Sequence, residues 1–177
     1  MMQTDVLSGH LNVSGFSSLG RTRVRAIVAV GTATAGTVNL WNTTTAPITG
    51  GTYTRSGTTV TVTSTSHGLT TGQVVGITFA AGTGGTATNG NYSITVTNAN
   101  TFTLTEINSG TITGTGGCTY VATSTIGIRP WLASFDTAAV TSGANVLQVL
   151  FPGEGVLSTS GVYVQLSNMT GVTVFYG

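Results

Sequence analysis

The stretch RVRAIVAV at residues 23–30 decides the fold class, because apolar side chains recur there at every second position. A period of two is typical of a β-strand that buries one face. A turn at 33–36 leads into a second such stretch, TVNLW at 37–41. The residues predicted to share one face of the first strand are Val24, Ala26, Val28 and Val30.

The same period continues along the chain, and no apolar stripe with the 3.6-residue period of a helix appears. Threonine and valine alternate in many of these stretches, which favours a half-buried pleated surface with threonine outward and valine, isoleucine or phenylalanine inward. We therefore predict an all-β protein. The further predicted strands are 59–63, 73–79, 92–96, 101–105, 131–135, 146–151, 162–166 and 172–176.

Two regions of different amino-acid composition indicate two domains. Residues 48–121 are dense in threonine and glycine and carry only Arg55 and Glu106 as charges, whereas both tryptophans and most charges lie outside them. Glycine-rich stretches at 49–51 and 114–117 lie near the proposed joints. We predict a jelly-roll-like β-sandwich formed by residues 1–47 and 122–177, with a small β-barrel or sandwich domain of residues 48–121 inserted into it.

Charge is scarce: 5% of the 177 residues are charged, the formal net charge is +1, and no lysine is present. A typical soluble domain has roughly 25% charged residues. The absence of lysine excludes a P-loop lysine and a Schiff-base lysine. It also removes one of the two cationic side chains, lysine and arginine, that usually bind a nucleic-acid backbone. We expect no nucleic-acid partner, and we expect neighbouring subunits to cover much of the surface.

Covalent crosslinks and membrane segments are not indicated. Cys118 is the only cysteine, which excludes an intrachain disulfide and a cysteine-rich zinc site. The first residues have no basic segment followed by an apolar run, so we expect no signal peptide. No stretch approaches the roughly 20 apolar residues of a membrane span, so we expect no membrane partner.

Catalytic residues are few and scattered. His10 and His67 are the only histidines, and neither a Gly-x-Ser-x-Gly elbow nor a His-Glu-x-x-His motif occurs. His67 precedes Gly68 in a predicted turn, which favours a structural hydrogen bond. We predict no enzyme activity, no cofactor and no metal site. The four carboxylates, which are dispersed singly, are Asp5, Glu106, Asp136 and Glu154.

Arg21, Arg23 and Arg25 alternate and would project from one face of a strand. One interpretation is a solvated face that protects a sheet edge against unwanted pairing. The other is a docking stripe for an acidic neighbouring subunit, since guanidinium groups form bidentate pairs with carboxylates.

Aromatic residues offer a second candidate surface. They would fill a core or an interface, or they would form a platform on which sugar rings stack. The candidates are Trp41, Trp131, Tyr163 and Tyr176.

The inserted segment resembles a short domain of phage virion proteins that is commonly named after the first catalytic-cysteine half-domain of ubiquitin-activating enzymes. The matching stretches are HGL at 67–69, GQVV at 72–75, GNY at 90–92 and NTFTL at 100–104. They consist of turn glycines and core residues, so the resemblance implies a fold and no activity.

The flanking host resembles the small sandwich subunits of tailed bacteriophages, especially marine podophages. The stretches that carry this resemblance are QTDV at 3–6, HL at 10–11, FPGEGV at 151–156, GVYV at 161–164 and VTVFYG at 172–177. It implies a virion structural protein that is assembled in the host cytoplasm.

Three alternative functions are consistent with these observations. The first is a head decoration protein that docks as a homo-oligomer, expected to be a trimer, on the major capsid protein with its insert facing outward. The second is a tail fibre or tail adaptor component that binds other tail proteins. The third is a glycan-binding module for attachment to the host surface.

Overall fold

The computed structural model describes residues 6–123, 129–140 and 145–177, so Asp5 and residues 3–5 of the quoted resemblance lie outside the described residues. The described chain is all-β, as predicted, and its strands pair antiparallel. The strands, in chain order, are β1 (Leu7–Leu11), β2 (Gly15–Leu19), β3 (Thr22–Gly31), β4 (Gly36–Asn42), β5 (Ile48–Ser56), β6 (Thr59–Thr63), β7 (Val74–Phe79), β8 (Gly90–Ser93), β9 (Thr95–Asn98), β10 (Thr101–Thr105), β11 (Ile112–Thr123), β12 (Trp131–Thr137), β13 (Val146–Leu150), β14 (Val156–Ser158), β15 (Gly161–Ser167) and β16 (Met169–Tyr176).

The chain divides into two compact units, one of residues 1–46 with 132–177 and one of residues 47–131. The second joint therefore lies at 131–132 and not at 121–122, where the sequence analysis placed it. β11 continues to Thr123, which pairs with Val74 of β7. The Asn91 side chain then binds both backbone groups of Trp131, accepting from its N–H at 3.0 Å and donating to its C=O at 2.8 Å.

The discontinuous unit is a jelly roll, and its strand pairs are nested. β1 pairs with β16, β2 with β15, β3 with both β13 and β14, and β4 neighbours β12. The first strand thus pairs with the last, the second with the last but one, and so on inward. Two sheets result, with the orders β1-β16-β3-β13 and β12-β4-β15-β2. This is the double-sheet arrangement of jelly rolls.

The strand β3 changes face part of the way along its length. Val24 is buried in the core between the sheets, but the next core residues along the strand are Ile27 and Ala29. Ala26 lies opposite Phe175 and Val24 opposite Tyr176, so Arg25 is an extra residue and forms a β-bulge. The prediction that Val24 shares a face with Ala26, Val28 and Val30 was therefore wrong, because a bulge shifts the alternation by one residue.

The continuous unit is a curled sheet with the order β8-β7-β11-β5-β6-β10-β9. Its two outermost strands, β8 and β9, are consecutive in the chain and are joined by Ile94, which is 2% exposed. The sheet therefore curls until a single bent segment provides both of its edges. The threonine–valine pattern behaves as predicted, since Val60, Val62 and Phe102 are buried in the centre.

The first strand of this unit, β5, and its longest strand, β11, lie side by side in one sheet. Ile48 at the start of β5 lies opposite Tyr120 near the end of β11. In the jelly roll, the chain leaves from β4 and returns to β12, which are neighbouring strands. The chain therefore leaves the jelly roll and re-enters it at neighbouring strands, as an insertion requires.

The glycine-rich stretches near the expected joints lie inside strands. A Cβ on Gly116 of β11 would come within 2.4 Å of the Tyr53 ring, and one on Gly51 of β5 would come within 2.8 Å of Cys118 Sγ. These glycines permit close packing of a ring and a thiol against the backbone. β11, the longest strand, was therefore not among the predicted strands.

A buried ion pair fastens the loops of the continuous unit. Glu106 is 2% exposed and pairs with the guanidinium of Arg55, whose Nε also donates to Gly110 O at 3.3 Å. The other Glu106 oxygen accepts from Thr88 N at 2.7 Å. Burial opposes ionisation of this carboxyl, but Arg55 and Thr88 together hold its pKa below the ordinary value. A carboxylate held in this way ties the 80–90 loop to the end of β10.

We expect Glu106→Gln to destabilise the continuous unit by about 3 kcal/mol at neutral pH, because it leaves a buried guanidinium without its counter-charge. The folded pKa is lowered, so the contribution is full above the ordinary pKa of 4.5 and is lost as pH falls through the folded value. Urea unfolding at several pH values measures both effects. Glu154→Gln is the matched control, because its pair with Arg23 is exposed and contributes about 0–1 kcal/mol. Equal losses for the two variants would contradict the expectation.

Cys118 provides a reporter of this unit alone. It is buried among the core side chains, and burial raises the pKa of its thiol to about 12. Since the thiolate is the reactive species, we expect alkylation at pH 8 to proceed only when the unit unfolds. Labelling followed by mass spectrometry measures the rate, with urea-denatured protein as the fully reactive control. Native labelling as fast as that control would show that Cys118 is accessible.

Candidate assembly surface

The three arginines do not form one open stripe. Arg21 lies in the bend before β3, whereas Arg23 and Arg25 belong to the strand. Arg23 Nε lies 3.7 Å from a Glu154 carboxylate oxygen, and Arg25 Nη1 donates to Gly153 O at 3.3 Å. Two of the three side chains therefore bind a turn of their own jelly roll.

That turn, residues 152–155, interrupts the strand that runs along β3. Phe151 N donates to Arg25 O at 2.9 Å, after which the chain leaves the sheet and returns as β14. Gly153 and Gly155 have φ values of 62° and 77°, which glycine adopts without strain. The turn lies beside the bulge at Arg25, so two local irregularities occur at one place.

The four candidate aromatics do not form one exposed platform. Trp41 is fully buried, and its register partner Tyr163 is half-buried with Phe16 packed edge-on at 5.0 Å between ring centroids. Tyr176 belongs to the other sheet of the jelly roll, where it lies opposite Leu7 and Val24. Trp131 belongs to the continuous unit. The hypothesis of a sugar platform that includes Trp41 is wrong for this arrangement, because a buried ring face has no room for a ligand.

His67 has a structural role within the continuous unit. Its Nδ1 accepts from Leu69 N at 3.0 Å, so its Nε2 carries the proton and donates to Asn98 O at 3.1 Å. The ring also packs edge-on against Phe102 at 5.4 Å. The side chain therefore fastens the 64–69 turn to the turn between β9 and β10. His10 is exposed on β1, where its Nδ1 lies 3.0 Å from Thr173 Oγ1.

The described carboxylates also have partners within their own units. Thr37 Oγ1 donates to Asp136 at 2.9 Å, Glu154 pairs with Arg23, and Glu106 pairs with Arg55. Among the described residues, no group of three or more His, Cys, Asp and Glu side chains is close enough to hold a metal ion. The same residues contain no helix with the length and apolar character of a membrane span.

The most exposed apolar strand is β13, which the sequence analysis identified as a strand but not as a surface. Val146 is 61% exposed and Leu150 is 71% exposed. Cross-strand neighbours on the same face are Val30 and Phe175, which are half-buried, and Ala26, which is 8% exposed. The signal in the sequence is the run VLQVLF, which has more apolar residues than a strand with one buried face requires.

Exposed apolar residues are concentrated in the jelly roll. Of the eight large apolar side chains that are exposed in the described part of the chain, six belong to this unit and two to the continuous unit. Contiguous exposed apolar surface marks interaction sites more often than single residues do. Two of the six, Val146 and Leu150, lie on β13 and the other four lie within residues 6–19, so β13 is a candidate for an assembly surface.

The turn at 152–155 should control cleavage by a glutamate-specific protease. Of the two glutamates in the chain, Glu106 is buried and Glu154 is exposed, so we expect one cut, after Glu154. Arg25→Ala removes a hydrogen bond to the turn and should accelerate this cut on the order of fivefold. Timed digestion with intact-mass analysis measures the rate, and Arg21→Ala is the control expected to leave it unchanged. A first cut at Glu106 would contradict the burial of that residue.

Comparisons of the chain with protein-family models, with curated proteins and with solved structures find no match.

Proposed function

We propose that this protein is a non-enzymatic structural subunit of a bacteriophage particle, in which the jelly roll docks as a homo-oligomer on the head. The observation that carries the proposal is the concentration of exposed apolar side chains in the jelly-roll unit, including Val146 and Leu150 of β13. Such a surface is costly on a free monomer and useful in a lattice.

Docking acts through burial and mass action. Each Å² of apolar surface that a neighbour removes from water contributes about 25 cal/mol, part of which offsets the entropy lost on association. A subunit that binds the assembled shell but not its dissociated proteins stabilises the shell in proportion to its occupancy. No reaction is needed for this role.

The distribution of charge supports a different role for the continuous unit. Its Arg55 and Glu106 are paired and buried, and its remaining described charge is the exposed Arg129 near the joint, so threonine hydroxyls provide much of its polar surface. Thr54, Thr61, Thr103 and Thr95 form one such row across four neighbouring strands. A surface covered by hydroxyl groups stays hydrated without charge. We assign to this unit the part that is presented on the outside of the particle.

A tail fibre or tail adaptor would use the same docking surface, and copy number separates the two positions. The copy number of a head decoration protein rises with the number of shell subunits, whereas a tail component has the low copy number of the tail. Glycan attachment has less support, because Trp41 is buried and Tyr176 lies in a different sheet of the jelly roll from Tyr163.

Two matched variants test which unit docks. Leu150 in the jelly roll and Ile107 in the continuous unit are both apolar and exposed, at 71% and 91%. We expect Leu150→Asp to lower incorporation into particles about tenfold or more, because it places a charge in a dry contact. Ile107→Asp should leave incorporation unchanged. Quantitative mass spectrometry of purified particles measures both, together with the wild-type copy number.

The reverse pattern would contradict the proposal. Loss of incorporation with Ile107→Asp and not with Leu150→Asp would assign docking to the continuous unit. Absence of the wild-type chain from particles would refute the virion role altogether.

A further inference from the structure

Among the described strands, β13 is the last in its sheet, and none of them pairs with its far edge. Gly31 N donates to Asn145 O at 2.7 Å, and Phe151 N donates to Arg25 O at 2.9 Å. In an antiparallel ladder the backbone groups of alternate residues point toward the same neighbour. The groups of Leu147 and Val149 therefore point toward β3, and those of Val146, Gln148 and Leu150 point away from it.

The sequence of this edge is nearly symmetric about Gln148. Read in either direction, VLQVL places a branched apolar residue at each end and another on each side of the glutamine. Antiparallel pairing with a second copy about a two-fold axis at Gln148 would set Val146 opposite Leu150 of the copy. Gln148 would lie opposite Gln148 of the copy.

In this register every outward-pointing backbone N–H and C=O group of β13 has a hydrogen-bond partner. The residues whose backbone groups point outward, Val146, Gln148 and Leu150, are the ones that meet as hydrogen-bonded pairs. A shift by one residue would oppose outward-pointing groups to inward-pointing ones. A two-fold axis also limits the assembly to two copies, because both use the same surface for the contact.

Within β13 itself the described edge has no charge, proline or bulge, and only its short length limits such pairing. Natural edge strands are protected by charged residues, proline, bulges or short length. β13 has five residues without charge or proline, and no register irregularity is found between it and β3. The nearest proline, Pro152, comes after the strand and belongs to the turn held by Arg25.

We propose that two copies of this chain associate through antiparallel pairing of their β13 edges about a two-fold axis at Gln148. The inference deepens the proposed function and rests on it, since it identifies the surface and symmetry of self-association. It replaces the expected trimer with a two-fold contact. The pair would share one continuous sheet, with the apolar outer faces of both copies side by side.

Charge placed on the axis tests the register. Because Gln148 is exposed and faces its own copy, Gln148→Lys and Gln148→Glu each set like charges opposite one another. We expect each variant alone to dimerise about tenfold more weakly or worse than wild type. An equimolar mixture of the two should form a heterodimer at least as tight as the wild-type dimer. Sedimentation velocity over a concentration series measures all three samples.

The control is Ser8→Lys, which adds a charge to the outer face of the same sheet at its opposite edge strand. It should leave the dimer unchanged. Protection of Cys118 from alkylation shows that each variant remains folded in its continuous unit, and restoration in the mixture shows that the jelly roll is intact.

The outcomes separate the two proposals. A wild-type dimer that persists in Gln148→Lys, or a mixture that is not restored, refutes pairing at β13 and leaves self-association through another surface. A wild-type chain that is monomeric at all concentrations refutes the dimer, and the copy number in particles then decides the virion role independently.

Discussion

The antiparallel ladder between β3 and β16 is the interaction on which the jelly roll depends, because it joins residues from the two ends of a divided chain. Val174 lies opposite Ile27 and Val172 opposite Ala29, and all four side chains belong to the core. An unstructured loop as long as residues 47–131 would cost about 4 kcal/mol to close. The folded continuous unit lowers this cost, because its chain returns through β11, which pairs with β5.

Scarcity of charge determines how polar groups are used in both units. The described carboxylates serve internal purposes, such as the Glu106 pair with Arg55 and the Asp136 hydrogen bond from Thr37. Solvation then depends on threonine, whose branched side chain also favours extended backbone. A row such as Thr54, Thr61 and Thr103 thus maintains strand geometry and hydration together. Apolar side chains that lack this cover include Val146 and Leu150 of β13.

A two-residue period was enough to predict regular strands from the sequence, including Thr59–Thr63 with its buried Val60 and Val62. Prediction failed where a single residue changes the geometry. The bulge at Arg25 reverses the faces of β3, and a two-residue period in the sequence does not show where the alternation shifts. The glycines around Gly116 indicated a joint, although Gly116 accommodates the ring of Tyr53 inside a strand. Exposure of β13 depends on its position at the end of the sheet, and a sequence alone does not give strand order.

The turn at 152–155 explains why an open edge need not lead to fibres. An uncharged apolar edge recruits further strands when it is long and flat. Here the Arg25 bulge and the turn beside it end the available ladder at Leu150, and Arg23 and Arg25 hold that turn in place. One further copy occupies the whole of a short edge centred on Gln148. In a two-fold contact the β13 edges of both copies are paired with each other, so neither is left to bind a third copy. The two arginines thus limit how far the edge can pair. This role combines the two hypotheses raised by their alternation, protection of a sheet edge and docking of a neighbouring subunit.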